Sequence, residues 1–135
     1  LFRSSHMLMN AVFDACVEPN LTEPIFVIDY PVEICPLAKT KPSDPRVAER
    51  FELFVAGMEL GNAFTELNDP IDQRRRFEEQ ARAIESGDEE AQVLDEDFLL
   101  AMEHGMPPIS GWGMGIDRFV ALLRAGHRGE VEGVR

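Results

Sequence analysis

The stretch FELFVAGMELGNAFTELNDP, residues 51–70, constrains the fold more than any other part of this 135-residue chain. Its glutamates Glu52, Glu59 and Glu66 recur every seven positions, a spacing that would put them on one face of a helix. Gly57 and Gly61 argue against a helix, because a glycine inside one costs about 1 kcal/mol relative to alanine. The Val and Phe residues favour strands. Two strands are therefore expected, 51–55 and 58–65, around a tight turn at Ala56–Gly57. In that register Val55 faces Met58, Phe54 faces Glu59 and Leu53 faces Leu60. Side chains alternate along a strand, so Glu52 shares a face with Phe54 and therefore with Glu59. The two carboxylates become diagonal cross-strand neighbours, with Cα atoms roughly 7–8 Å apart or less. Like charges that close repel unless a cation sits between them, and paired carboxylates suit a Mg²⁺ that also holds phosphate oxygens. The competing reading puts both glutamates on the solvent side of an edge hairpin. Glu66 breaks the parity: simple alternation sends it to the face opposite Glu59. Either it does something else, or Gly61 marks a bulge that flips the register.

The chain has enough residues for one core. At 44% hydrophobic and 28% charged it has a globular composition, with no apolar run long enough to cross a membrane. Its net charge of -12 repels phosphate backbones, so this chain alone is not expected to grip nucleic acid. Cys16 and Cys35 lack CxxC or zinc-ligand spacing and read as reduced, partly buried thiols of a cytoplasmic protein. The opening LFRSSHM reads as a tag and cleavage remnant, which would leave residues 8–135 as a fragment of a larger domain.

Apolar spacing predicts a short helix from Met7 to Val17, and IFVIDYP (25–31) reads as a strand that stops at Pro31. Pro36, Pro42 and Pro45 make 36–46 an irregular loop. Asp69 and Pro70 open a helix that runs to Ser86–Gly87. The polar gap GDEEAQ (87–92) reads as a solvated acidic loop. A second helix follows, capped by Asp95 and closed by Gly105. Then come a glycine-rich strand at 109–114 and a helix from Ile116 to Arg124, with Arg118 in its first turn. Gly111, Gly113 and Gly115 would let a flat group lie against the strand, and Arg118 offers a fixed fork to phosphate or a planar ring. Tight strand–helix packing explains the same glycines, and the spacing is not that of a dinucleotide-binding GxGxxG.

Taken together, FELFVAGMELGNAFTELNDP and GWGMGIDRFVALL resemble the class II lysyl-tRNA synthetases, the second stretch resembling their motif 3. PVEICPLAK at 31–39 resembles the family's Pro-Leu-Ala-Lys segment, and the likeness covers roughly residues 18–124. It implies an α+β fold, a partial class II antiparallel sheet with flanking helices. It implies that Glu52 and Glu59 hold Mg²⁺ against ATP, and that Gly61, Asn62 and Glu66 bind the substrate lysine, Glu66 pairing with its ε-ammonium. Arg118 matches the catalytic motif 3 arginine that contacts the ATP γ-phosphate, while Gly111, Gly113 and Gly115 flank the adenine. The implied reaction is ATP-dependent lysine activation and transfer to tRNA-Lys by a homodimer.

Nothing in the chain resembles motif 1, motif 2 or the anticodon-binding OB domain, so the chain alone is expected to be inactive. Cys35 stands where the family usually has serine and Met58 where many members have arginine. The ending RAGHRGEVEGVR lacks the apolar finish expected of the family. Two other readings compete. One is a truncated paralogue that lysylates a protein such as an elongation factor; those relatives tend to carry alanine at the Gly61 position. The other is a non-catalytic lysine- or nucleotide-binding module.

Overall fold

A computed structural model describes residues 5–85 and 94–128. Four helices, α1 (Ser5–Cys16), α2 (Pro70–Glu85), α3 (Glu96–Glu103) and α4 (Ile116–Arg128), accompany six strands. Strands β1 (Ile25–Ile28), β4 (Arg50–Val55), β5 (Met58–Thr65) and β6 (Ser110–Met114) form an antiparallel sheet in the order β1-β4-β5-β6. A separate ribbon pairs β2 (Thr40–Lys41) with β3 (Asp44–Ala48). This is the α+β architecture expected from the sequence.

The hairpin forms where the turn chemistry demands it. Ala56 and Gly57 both adopt left-handed backbone, with φ of 53° and 74°, as a type I′ turn requires. Their amides donate to Thr22 O and Leu21 O, which docks the segment after α1 on the turn. Val55 faces Met58 and Phe54 faces Glu59 as expected, but Leu53 lies opposite Gly61 and Glu52 opposite Asn62. Leu60 is the extra residue of a bulge, so the expected Leu53–Leu60 pair does not form. The shift restores the parity that Glu66 broke: Glu59, Asn62, Phe64 and Glu66 now fall on the face that carries Glu52. Gly61 is required here by β6, because a Cβ would lie 2.6 Å from the Gly113 carbonyl oxygen.

Four expectations are corrected. β1 ends at Ile28 rather than Pro31, because Asp29 turns into left-handed backbone (φ 64°) and its carboxylate holds Lys41 at 2.6 Å. Residues 36–46 are not wholly irregular: Pro42 lies in the turn between β2 and β3, and Pro45 falls in their register shift, where no ladder donor is needed. α4 runs past Arg124 to Arg128. The helix expected from Met7 starts at Ser5, inside the stretch read as a remnant. The acidic gap 87–92 and the ending from Gly129 lie outside the described residues.

α2 and α3 open as their caps dictate, Asp69 Oδ1 accepting from Ile71 N at 2.9 Å and Asp95 Oδ1 from Phe98 N at 2.9 Å. The two helices meet through buried Phe77, Leu99 and Met102. A second core joins Tyr30, Cys35, Ala38 and Ala48 to the Glu52 face of the sheet through Val27 and Phe64. Farther along that face, Phe13 of α1 sets its ring edge-on to Phe54, 5.9 Å between centroids. The reverse face leaves Phe26 and Ile28 of β1, Phe51 of β4 and Trp112 of β6 exposed, with buried Ala63 of β5 between the last two.

Arg76 of α2 ties the helix to the segment before β2. Buried to 5% exposure, it donates to Cys35 O, Ala38 O, Thr40 Oγ1 and Asp72 Oδ2. Burial raises the Asp72 carboxyl, but hydrogen bonds from Arg76 and Arg75 outweigh it and hold the group below the 3.8 of a free aspartate. A depressed folded-state pKa contributes stability above the unfolded value and loses it as pH falls through the folded one. Below about pH 4 the chain should therefore lose this contribution, and Asp72→Asn should flatten the acid limb of its melting curve. An unchanged acid limb in that variant would assign the loss to other groups.

Candidate functional site

Strand alternation and the bulge bring Glu52, Glu59, Asn62 and Glu66 to one face, beside Gly111 and Gly113 of β6. Glu52 stands opposite Asn62 in the register, and Asn62 Nδ2 donates to Glu59 Oε1 at 2.9 Å. Each acid also has a guanidinium close by. Arg50 Nη2 donates to Glu52 Oε1, and Arg118 Nη1 lies 4.0 Å from Glu59 Oε2 while donating to Glu59 O at 2.6 Å. These guanidiniums offset part of the repulsion inferred from the spacing.

Tyr30 completes the grip on Glu52, its hydroxyl donating to Oε2 at 2.6 Å. Burial, then the bond to Glu52, push that hydroxyl's pKa well above its ordinary value. Arg50 lies over the Tyr30 ring at 4.9 Å and donates from Nη1 to Cys35 Sγ at 3.3 Å. Burial raises the Cys35 thiol against the lowering effect of Arg50. Glu18 approaches from the turn after α1: burial and then the carboxylates of Asp14, Glu52 and Glu59 push its pKa up.

Glu66 differs from its neighbours. Its amide donates to Ile109 O at 3.0 Å, yet among the described residues its carboxylate has no hydrogen-bond partner and no ion pair. Burial alone raises its pKa. The carboxylate lies over Gly111, where a Cβ would meet Glu66 Oε1 at 2.3 Å. Gly113 has nothing within 4 Å of its Cβ position. A half-buried acid without a counter-ion, beside an open glycine strand, can accept an ammonium with little rearrangement.

Gly111→Ala tests that geometry. The obstructing atom ends a flexible side chain, so the fold should tolerate the methyl while Glu66 swings away. The expected outcome is a melting temperature near that of the unaltered protein and an affinity for an ammonium-bearing ligand lowered on the order of tenfold, the loss of a charged contact. An unchanged affinity would show that the Glu66 position over Gly111 is not the binding pose.

The structure thus gathers Glu52 of β4, Glu59, Gly61 and Asn62 of β5 with Glu66 just beyond it, and Gly111 and Gly113 of β6 on three adjacent strands, with Gly115 and Arg118 where β6 passes into α4. Sequence reasoning missed Tyr30, Arg50 and Glu18. Arg50 was open to discovery, because it alternates with Glu52 on the same strand face. Tyr30 lies 22 positions from Glu52, and no local pattern links the two. A cleft of about 320 Å³ opens elsewhere, around Ile28, Lys41, Phe51 and Ala63. It does not include the acids, and the chemistry favours the Glu52 face. Among the described residues no group of three or more His, Cys, Asp or Glu is arranged to hold a metal.

β6 carries Gly111 and Gly113, and α4 beyond it brings Arg118 to Glu59. The sequence model for tRNA synthetases class II (D, K and N) matches residues 6–128, and the chain belongs to that family. Its similar proteins include the lysine–tRNA ligase of Moorella thermoacetica, 60% identical over 116 residues that make up 86% of this chain and 24% of that protein. The lysine–tRNA ligase of Pelotomaculum thermopropionicum is 58% identical over 116 residues, 86% of this chain and 23% of that protein. That of Nostoc punctiforme is 60% identical over 121 residues, 90% of this chain and 22% of that protein. The chain spans about a quarter of the length of these curated relatives.

Proposed function

We propose that the chain is a catalytic-core portion of a lysine–tRNA ligase, which activates lysine with ATP and transfers it to tRNA-Lys. The observation that carries this reading is the carboxylate of Glu66, half-buried and without a countercharge among the described residues. Lysine offers three ammonium donors and no acceptor, so an acid held this way selects it over neutral side chains. Asn62, on the same face, supplies an amide to the substrate, and Gly61 keeps β5 and β6 close.

Mg²⁺ fits the donor set: it binds through one or two carboxylates plus substrate phosphates, and Glu52 and Glu59 share a face of the sheet. When bound there it would supply positive charge to the triphosphate. The Arg118 side chain, 53% exposed, is free to swing from Glu59 O towards a γ-phosphate. Gly113 leaves backbone open to the adenine, whereas Gly115 makes room for the stem of Arg118 and Gly111 for Glu66. Catalysis then rests on positioning and on offsetting charge as the lysine carboxylate attacks the α-phosphate. The paralogue reading is disfavoured by Gly61, since alanine at that position would press on the Gly113 carbonyl.

A homodimeric, cytoplasmic parent enzyme follows from the same resemblance. Among the described residues no helix is long and apolar enough to cross a membrane. The test is lysine-dependent ATP–pyrophosphate exchange. The full-length protein should exchange with lysine and with no other standard amino acid, and the 135-residue chain alone should not. Exchange with aspartate or asparagine instead would overturn the reading.

A further inference from the structure

The side chains that grip Glu52 have no part in the chemistry above, and their arrangement points to one. The two carboxylate oxygens take different donors, Oε2 the Tyr30 hydroxyl at 2.6 Å and Oε1 Arg50 Nη2. The guanidinium is fixed in turn: it lies against the Tyr30 ring, and Nη1 donates to the buried Cys35 thiol at 3.3 Å. Among the described residues its Nε is buried without a partner. An unsatisfied buried donor is unfavourable, so this pose does not maximise the arginine's own hydrogen bonding. What it does maximise is the definition of Glu52.

A carboxylate has about four lone-pair sites, and these donors take two of them. The remainder stays available on the face shared with Glu59 and Asn62. We propose that Tyr30 and Arg50 are positioning residues that hold the Glu52 carboxylate in one orientation for a divalent cation, with Cys35 aiming the guanidinium. The inference rests on the metal-binding reading of Glu52. It adds to that reading a set of residues that touch neither substrate nor metal. Partners that orient a ligating carboxylate typically affect metal affinity by about 10–100-fold.

The experiment is manganese(II) binding to the full-length protein in the presence of ATP, followed by the loss of the free-ion EPR signal. Tyr30→Phe keeps the ring under Arg50 and deletes only the donor. It should weaken manganese binding about tenfold, with lysine affinity and melting temperature little changed. Arg50→Lys keeps the charge and loses the fork, and should weaken binding similarly. In a Glu52→Gln background Tyr30→Phe should have no further effect. If Glu52→Gln weakens manganese binding and Tyr30→Phe does not, the positioning role is overturned and the metal reading stands. If Tyr30→Phe acts equally with and without Glu52, the effect does not pass through that carboxylate and the proposal fails. If Glu52→Gln leaves binding unchanged, the metal reading itself falls and takes the proposal with it.

Discussion

Glu66→Gln in the full-length protein should raise the lysine KM at least tenfold and leave the ATP KM nearly unchanged. The amide preserves the shape but cannot neutralise an ammonium, and its NH₂ donors face the substrate's donors. Truncating one partner of a buried charge pair costs about 2–5 kcal/mol, part of which is the stranded charge. The structure adds a second expectation. Burial raises the Glu66 pKa and among the described residues no cation offsets it, so in the free protein its ionisation opposes folding. The sign follows: an acid with a raised folded-state pKa favours the fold below its unfolded pKa and ceases to do so as pH rises through the folded one. At pH 7 Glu66→Gln should therefore melt no lower than the unaltered protein, and slightly higher if anything. A residue that merely supported the turn into Asp69–Pro70 would behave oppositely, with a lower melting temperature and an unchanged lysine KM.

The largest loss of stability is expected from Arg76→Ala. The guanidinium serves two backbone carbonyls, a hydroxyl and a carboxylate, and its removal leaves them without that donor in the core. Breaking a buried pair by deleting one partner costs about 3–5 kcal/mol. That should lower the melting temperature of the chain on the order of 10 °C. Arg76→Met keeps the aliphatic stem and should lose nearly as much, which assigns the effect to hydrogen bonding rather than packing. The consequence reaches the site. The carbonyl of Ala38 takes Arg76 Nη1 at 2.9 Å, and Ala38 bridges Glu66 across the sheet, so the helix braces the strand end that carries the acid. A shift of only a few degrees for both variants would show that the loop's own pairing with residues 65–67 suffices.

Local chemistry made the hairpin legible. Two left-handed residues at Ala56–Gly57 and alternation on either side settle which residues pair nearest the turn. The bulge was visible only as a question, because Leu60 is displaced by something remote: the backbone of β6 presses on Gly61 from some fifty positions away. Once that contact exists, the parity of Glu66 follows. The helix starts at Pro70 and Glu96 were legible because Asp69 and Asp95 cap them through short-range bonds. The prolines of 36–46 misled, since proline rules out a central strand but not a two-stranded ribbon with a register shift. Tyr30 and Arg50 escaped notice as partners of Glu52 for the opposite reason. Nothing in their own neighbourhoods marks them, and their roles exist only after β1, β4 and the Cys35 segment have packed together.

The central claim is that one carboxylate reads the charge of the substrate side chain. The measurement that tests it most directly compares lysine with norleucine, its analogue without the ammonium, as substrates for pyrophosphate exchange. The comparison is made in the full-length protein with glutamate and with glutamine at position 66. With Glu66 the kcat/KM ratio should favour lysine by several orders of magnitude, because a site built for a charged donor is left with a stranded acid when the donor is missing. Glu66→Gln should collapse most of that preference by weakening lysine rather than by rescuing norleucine. A lysine-to-norleucine ratio that stays the same in both proteins would contradict the account, whatever the substitution does to overall activity.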